Sequence, residues 1–134
     1  MNRILDRLFI GAGRDLNQPL SAMDFAGVLD LRDIANPHPD VPFHRLTGRD
    51  GDPWRPQDVE EALGFVYDSL QRGRVLVVCD AGMSRSASMV VGFMVRCGWS
   101  APEALALVRA ARVEVSPKAV MLREASAPEF KKYI

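Results

Sequence analysis

Within the stretch Val77-Val78-Cys79-Asp80-Ala81-Gly82-Met83-Ser84-Arg85-Ser86, a thiol precedes a guanidinium by six positions, with a glycine between them. The six residues Asp80, Ala81, Gly82, Met83, Ser84 and Arg85 can curl so that successive backbone N–H groups point inward, a geometry that binds anions. The positive end of a following helix would reinforce the nest. Arg85 adds a planar fork able to grip two phosphate oxygens at once. The same positive field favours the thiolate of Cys79, the form that acts as a nucleophile. The Ser86 hydroxyl is spaced to hydrogen-bond that sulfur and stabilise it as a leaving group. These residue types suit one chemistry: a phosphate held by Asp80 to Arg85 and attacked from below by Cys79.

Such a cradle needs a rigid strand beneath it and a helix behind it. Val75-Leu76-Val77-Val78 is an uninterrupted apolar run, the pattern of a central strand covered on both faces. An apolar helix over Ala87 to Cys97 follows, ended by Gly98. Upstream, Leu8-Phe9-Ile10 before Gly11-Ala12-Gly13 reads as a first strand, and Val28-Leu29-Asp30-Leu31 as a second, with a short helix over Leu20 to Phe25 between them. Three prolines make residues 35–42 a connector, since each fixes φ and removes an amide donor. Val41 to Leu46 reads as a third strand. Val59, Leu63, Val66 and Leu70 have helical spacing over Gln57 to Leu70, with Pro56 at the start and Gly73 past the end. Ser100-Ala101-Pro102-Glu103 has the form of a capping box opening a helix over Ala104 to Arg112, and Ser116-Pro117 opens a last helix through Glu124. Strands alternating with helices predict an α/β fold: a small, mostly parallel sheet of about four to five strands flanked by helices. Cys79 ends a strand at its carboxyl edge, where such sheets bind ligands.

The longer string C-x-A-G-x-S-R-S resembles the signature of the dual-specificity branch of cysteine-dependent protein phosphatases. Arg7-Leu8-Phe9-Ile10-Gly11 looks like that family's opening strand, and Val28-Leu29-Asp30-Leu31 like its next one. Trp99 to Leu105, with Arg109 and Arg112, is similar to its helix after the catalytic one. The resemblance spans nearly the whole chain and implies a phosphotyrosine phosphatase-like sheet and a cysteinyl-phosphate intermediate, with no metal or cofactor. It also implies a carboxylic acid, on a loop upstream of the cysteine, that protonates the leaving oxygen and then activates water. Asp50, 29 positions before Cys79 and followed by glycine, is the closer match, and Asp52 is the alternative general acid. The catalytic set is therefore Cys79, Arg85, Asp50 and Ser86. One position departs from the pattern: the family usually has histidine before the cysteine, where this chain has Val78. That histidine helps order the loop and keep the thiolate available, so its absence either leaves the Cys79 thiolate harder to form or calls for a substitute hydrogen bond.

Composition narrows the function. The 134 residues fit one domain, 1–134, and 48% hydrophobic with 25% charged residues excludes disorder and coiled coil. Seventeen Lys+Arg balance seventeen Asp+Glu, so nothing predicts bulk attraction to nucleic acid or an anionic membrane. No run approaches the length of a membrane span. Two cysteines and two histidines, without metal-ligand spacing, leave a monomer in the cytoplasm with reduced thiols as the expectation. Cys97 is expected in the core, with a redox partnership to Cys79 as the alternative. Met89, Phe93 and Met94 are expected to be core, His38 and His44 loop or surface residues, and Arg112 a buttress of the loop region. The short chain predicts a shallow pocket admitting phosphoserine and phosphothreonine as well as phosphotyrosine on a protein or peptide. Two other functions fit the same loop: a phosphatase for phosphoinositides or other small phosphorylated molecules, and a phosphate-binding module with weak turnover.

Overall fold

The apolar runs become neighbours in one sheet, with the run that ends in Cys79 at its middle. The computed structural model describes residues 1–32, 40–46, 54–79 and 84–111. In chain order its elements are β1 (Asn2–Arg3), β2 (Leu8–Ala12), β3 (Phe25–Asp30), β4 (Phe43–Arg45), α1 (Pro56–Leu70), β5 (Arg74–Cys79), α2 (Ser84–Arg96) and α3 (Ala101–Ala111). The strand order is β1-β2-β5-β3-β4. Every pairing is parallel except that of β1 with β2. This is the mostly parallel α/β sheet that the alternation of elements predicts.

Strand alternation divides the core between two faces. Leu8, Ile10, Ala12, Leu29, Leu31, Val75, Val77 and Cys79 join the larger cluster. There they meet Val59, Ala62, Leu63 and Val66 of α1, and Ala87, Val90, Val91 and Met94 of α2. Val28, Leu76 and Val78 face the other way, toward Leu16, Leu20 and Val41. Val75 to Cys79 are at most 1% exposed, which is why β5 has no polar alternation. Met89, Phe93 and Met94 are core, as their spacing predicts.

Most boundaries move by a few residues. α1 starts at Pro56, whose missing N–H costs nothing at a helix start. α2 starts at Ser84, three residues before the expected position, because the polar Ser84-Arg85-Ser86 belongs to its first turn. Gly98 terminates the helix with φ 101°, a conformation open to glycine without strain. The α3 capping box is present: the Glu103 amide donates to Ser100 Oγ at 3.2 Å, and the Ser100 amide to Glu103 Oε1 at 3.4 Å.

The expected helix over Leu20 to Phe25 is a correction. Only Ser21–Met23 winds, as a 3-10 turn, and Phe25 already belongs to β3. Asp24 sits between them in the left-handed region, φ 66°, so the chain reverses before a second turn can form. Among the described residues, the face lined by Val28, Leu76 and Val78 is therefore covered by two 3-10 turns, Gly13–Asn17 and Ser21–Met23, and by Val41, not by an α-helix. The expected last helix from Ser116 lies outside the described residues, as do His38 and Arg112.

Candidate active site

Cys79 is the last residue of β5, and the chain re-enters regular structure five positions later, at the start of α2. Parallel strands β2, β5, β3 and β4 all end on that edge, and α2 opens there. Cys79 is 1% exposed, and its sulfur lies 3.0 Å from Oγ of the fully buried Ser86. With the sulfur as thiolate the hydroxyl is the donor. Arg85 is 6% exposed although it stands in the first turn of a helix. A guanidinium is placed so only where anions or backbone carbonyls receive it, since an unpaired buried charge is costly. Of the residues that sequence reasoning nominates, the structure thus brings Cys79 and Ser86 into contact, with Arg85 buried in the first turn of α2 next to Ser86 in sequence. Asp80, Ala81, Gly82 and Met83 lie outside the described residues, as do Asp50 and Asp52, and the side chain of Ser84 is likewise not described.

The two ends of segment 47–53, which carries both candidate acids, are fixed. Leu46 is 5% exposed and Trp54 4%, and both pack in the same cluster as Cys79. Sequence reasoning passed over Trp54; its place directly after Asp50-Gly51-Asp52-Pro53 was the available signal. Its indole N–H finds no acceptor among the described residues. Beside it, His44, Arg45, Leu46, Arg55, Asp58 and Glu61 line a pocket of about 250 Å³. His44 is a β4 residue stacked on Phe65 at 5.5 Å, not a loop residue.

Sequence reasoning also missed an ionic cluster at this edge. Asp30, 1% exposed, ends β3. It accepts from Arg32 Nε at 3.0 Å, Arg32 Nη2 at 2.9 Å, the Arg32 backbone amide at 3.0 Å and Arg45 Nη2 at 2.8 Å. Burial by itself would raise the Asp30 carboxyl. The Arg32 hydrogen bonds, then that from Arg45 and the Arg32 charge, outweigh it and hold the carboxyl below its ordinary value. The string Asp30-Leu31-Arg32 reads as a strand end, so nothing in it announced a buried pair.

The alternative for Cys97 does not survive. The thirteen residues of α2 span roughly 20 Å, with Cys79 before one end and Cys97 beyond the other. A disulfide needs Cα atoms within about 7 Å. Cys97 instead packs on the core half-buried, and burial pushes its thiol up. Among the described residues, no group of three His, Cys, Asp or Glu side chains could hold a metal ion, and no helix is long and apolar enough to cross a membrane.

Comparison with known proteins agrees with this architecture. The profile of the family "Dual specificity phosphatase, catalytic domain" matches residues 16–126. Human dual specificity protein phosphatase 22 is 30% identical over 150 residues, covering 99% of this chain and 74% of that protein. Its counterpart from Xenopus tropicalis is 30% identical over 125 residues, covering 87% of this chain and 59% of the relative. The chain thus spans less than two thirds of the frog protein's length. Among solved structures, human DUSP28 superimposes with a TM-score of 0.83 at 20% identity, covering 98% and 96% of the two chains. Tk-PTP in its active form gives 0.76 at 22% identity, with the same coverage.

Proposed function

Because the chain belongs to the dual specificity phosphatase catalytic-domain family, we propose that it hydrolyses phosphate monoesters on proteins through a cysteinyl-phosphate intermediate. The observation that carries this reading is the buried contact between Cys79 Sγ and Ser86 Oγ beside the buried Arg85, where β5 hands over to α2. A structural cysteine needs neither a buried hydroxyl at 3.0 Å nor a buried guanidinium next to that hydroxyl in sequence.

The steps follow from the residue types. The Cys79 thiolate attacks phosphorus in line, so an S–P bond forms as the P–O bond of the ester breaks. Amides of the loop from Asp80 to Arg85, with the Arg85 fork, hold the equatorial oxygens as charge builds on them. Asp50 gives its proton to the departing oxygen. As carboxylate it then takes a proton from the water that attacks phosphorus, the S–P bond breaks, and the sulfur leaves as a thiolate steadied by Ser86. Asp52 is the alternative acid. The substrate class is phosphotyrosine, with phosphoserine and phosphothreonine reaching the same sulfur if the pocket is shallow. A monomer of one catalytic domain over residues 1–134, working in the cytoplasm with both thiols reduced, completes the reading.

The test is hydrolysis of p-nitrophenyl phosphate between pH 5 and 8 with EDTA and fresh reductant, wild type against Cys79→Ser. Turnover that persists in EDTA and vanishes in the variant is expected. Absence of turnover by wild type at every pH would sink the reading and leave a phosphate-binding module.

A further inference from the structure

The three central strands end side by side: Ala12 of β2 is the Cα partner of Cys79, and Asp30 of β3 that of Val78. A substrate whose phosphate meets the Cys79 sulfur comes in over this edge. Its approach is framed by the residues that follow these strands and by the first turn of α2. Among the described residues there, Asp15, Leu16, Leu31, Arg32, Arg85 and Ser86 are buried, and Arg14 alone presents a charge to solvent.

The backbone that carries Arg14 is pinned on both sides. It belongs to the 3-10 turn Gly13–Asn17. Before it, the Ala12 amide donates to Asp15 Oδ2 at 2.9 Å; after it, Leu16 packs against Leu76 and Val78, and Gln18 Nε2 donates to Asp15 Oδ1 at 3.2 Å. The neighbouring acid does not take up the Arg14 guanidinium. Asp15 is 5% exposed and its Oδ1 faces the Met1 ammonium at 3.1 Å. Arg14 makes no hydrogen bond or ion pair among the described residues. An arriving anion therefore displaces only water from it.

Adjacent strands are about 4.8 Å apart, and Arg14 lies two positions past Ala12, so its Cα is within about 12 Å of that of Cys79. Three residues of an extended peptide span at most about 11 Å. Arg14 is thus rooted within reach of side chains one to three positions from a phosphorylated residue. Its fork matches a carboxylate. We propose that Arg14 is a specificity-determining residue: it selects phosphopeptides that carry an acidic residue within three positions of the phosphorylated one. This rests on the phosphatase reading of Cys79. Because the guanidinium is exposed and screened by salt, it sets a preference of severalfold, not an absolute requirement.

The test compares two labelled phosphotyrosine peptides, one with glutamates and one with alanines at the three positions on either side. Fluorescence anisotropy measures their binding to the Cys79→Ser chain, with Arg14 kept or replaced by Ala, Lys or Glu. The readout is the ratio of the two affinities. With Arg14 in place the acidic peptide should bind severalfold more tightly at low salt. Arg14→Ala should lower that ratio about fivefold, Arg14→Lys should keep it within about twofold, and Arg14→Glu should push it below the Ala value. The differences should shrink at about 0.5 M salt. A merely structural role weakens both peptides together and leaves the ratio alone, and that outcome would overturn the proposal. So would an Arg14→Ala ratio equal to that with Arg14, or a Glu variant no lower than Ala. The same peptides are then offered to the chain with Cys79 intact. Binding without phosphate release would sink the phosphatase reading alone, since the affinity ratios need no turnover.

Discussion

The two edges of the sheet carry arginines in similar numbers and use them differently. At the edge where β5 ends, Arg32 and Arg85 are 4% and 6% exposed, and the chain between them passes Cys79. At the opposite edge Asp6, Arg7, Asp24, Arg72, Gly73 and Arg74 line a pocket of about 300 Å³, about as roomy as the one beside the acid-bearing segment. There Arg7 donates to the Leu70 carbonyl at 2.8 Å and Arg72 to that of Asp68 at 3.3 Å, both from exposed side chains. Arg74 lies over the Phe9 ring at 5.5 Å. These arginines cap helix and turn carbonyls in water. Guanidinium count therefore does not locate a site; desolvation next to a nucleophile does, because the field of a cation on a transferring phosphate is strong only where water is excluded.

Substitutions can break or sharpen that contrast. Cys79→Ser should remove at least roughly 10⁴-fold of the turnover on p-nitrophenyl phosphate, since no other group replaces the attacking sulfur; initial rates with wild type as reference check it. Arg85→Lys should cost about 10²–10³ in kcat, the cost of losing a preorganised donor set. Asp50→Asn should lose about 10²–10⁴ on a phosphoserine peptide, whose leaving group needs a proton, and far less on p-nitrophenyl phosphate, whose leaving group does not. Full rate on the peptide would transfer the role to Asp52.

The buried cluster gives a test on stability. Asp30→Asn removes the buried carboxylate that Arg32 and Arg45 share and should cost about 3 kcal/mol at neutral pH. Asp58→Asn, which breaks the exposed pair with Arg55, should cost under about 1 kcal/mol. The sign with pH follows from the depressed Asp30 carboxyl. Its contribution is full above the ordinary carboxylate value of about 4 and is lost as pH falls through the lower folded value. Wild-type and Asp30→Asn stabilities should therefore converge below about pH 4, as denaturant melts from pH 3 to 7 would record.

Smaller effects complete the series. Ser86→Ala should slow release of the thiolate by about ten- to hundredfold, the worth of a hydrogen bond to a charged group, and single-turnover kinetics would place the loss in the second step. Arg72→Ala at the opposite edge should leave kcat/KM within about twofold. A loss there as large as that of Arg85→Lys would break the comparison.

What the sequence determined was local. Cys79, Arg85 and Ser86 lie within eight positions between an apolar strand and an apolar helix, so spacing alone assembled them, and the structure brings the sulfur and the hydroxyl to 3.0 Å. Period and caps likewise gave α1, α3 and the central strand. Tertiary structure decided what depends on residues far apart meeting. Asp30, Arg32 and Arg45 look like ordinary strand ends until β3 and β4 pair and burial makes their charges matter. Trp54 looks like a loop residue until it enters the core beside Leu46. The helix expected at Leu20 to Phe25 fails for the same reason: β5 offers β3 a ladder of backbone hydrogen bonds starting at Phe25, worth more than a single turn of helix. Periodicity records how a residue relates to its neighbours in the chain, whereas desolvation and ion pairing depend on neighbours across the sheet.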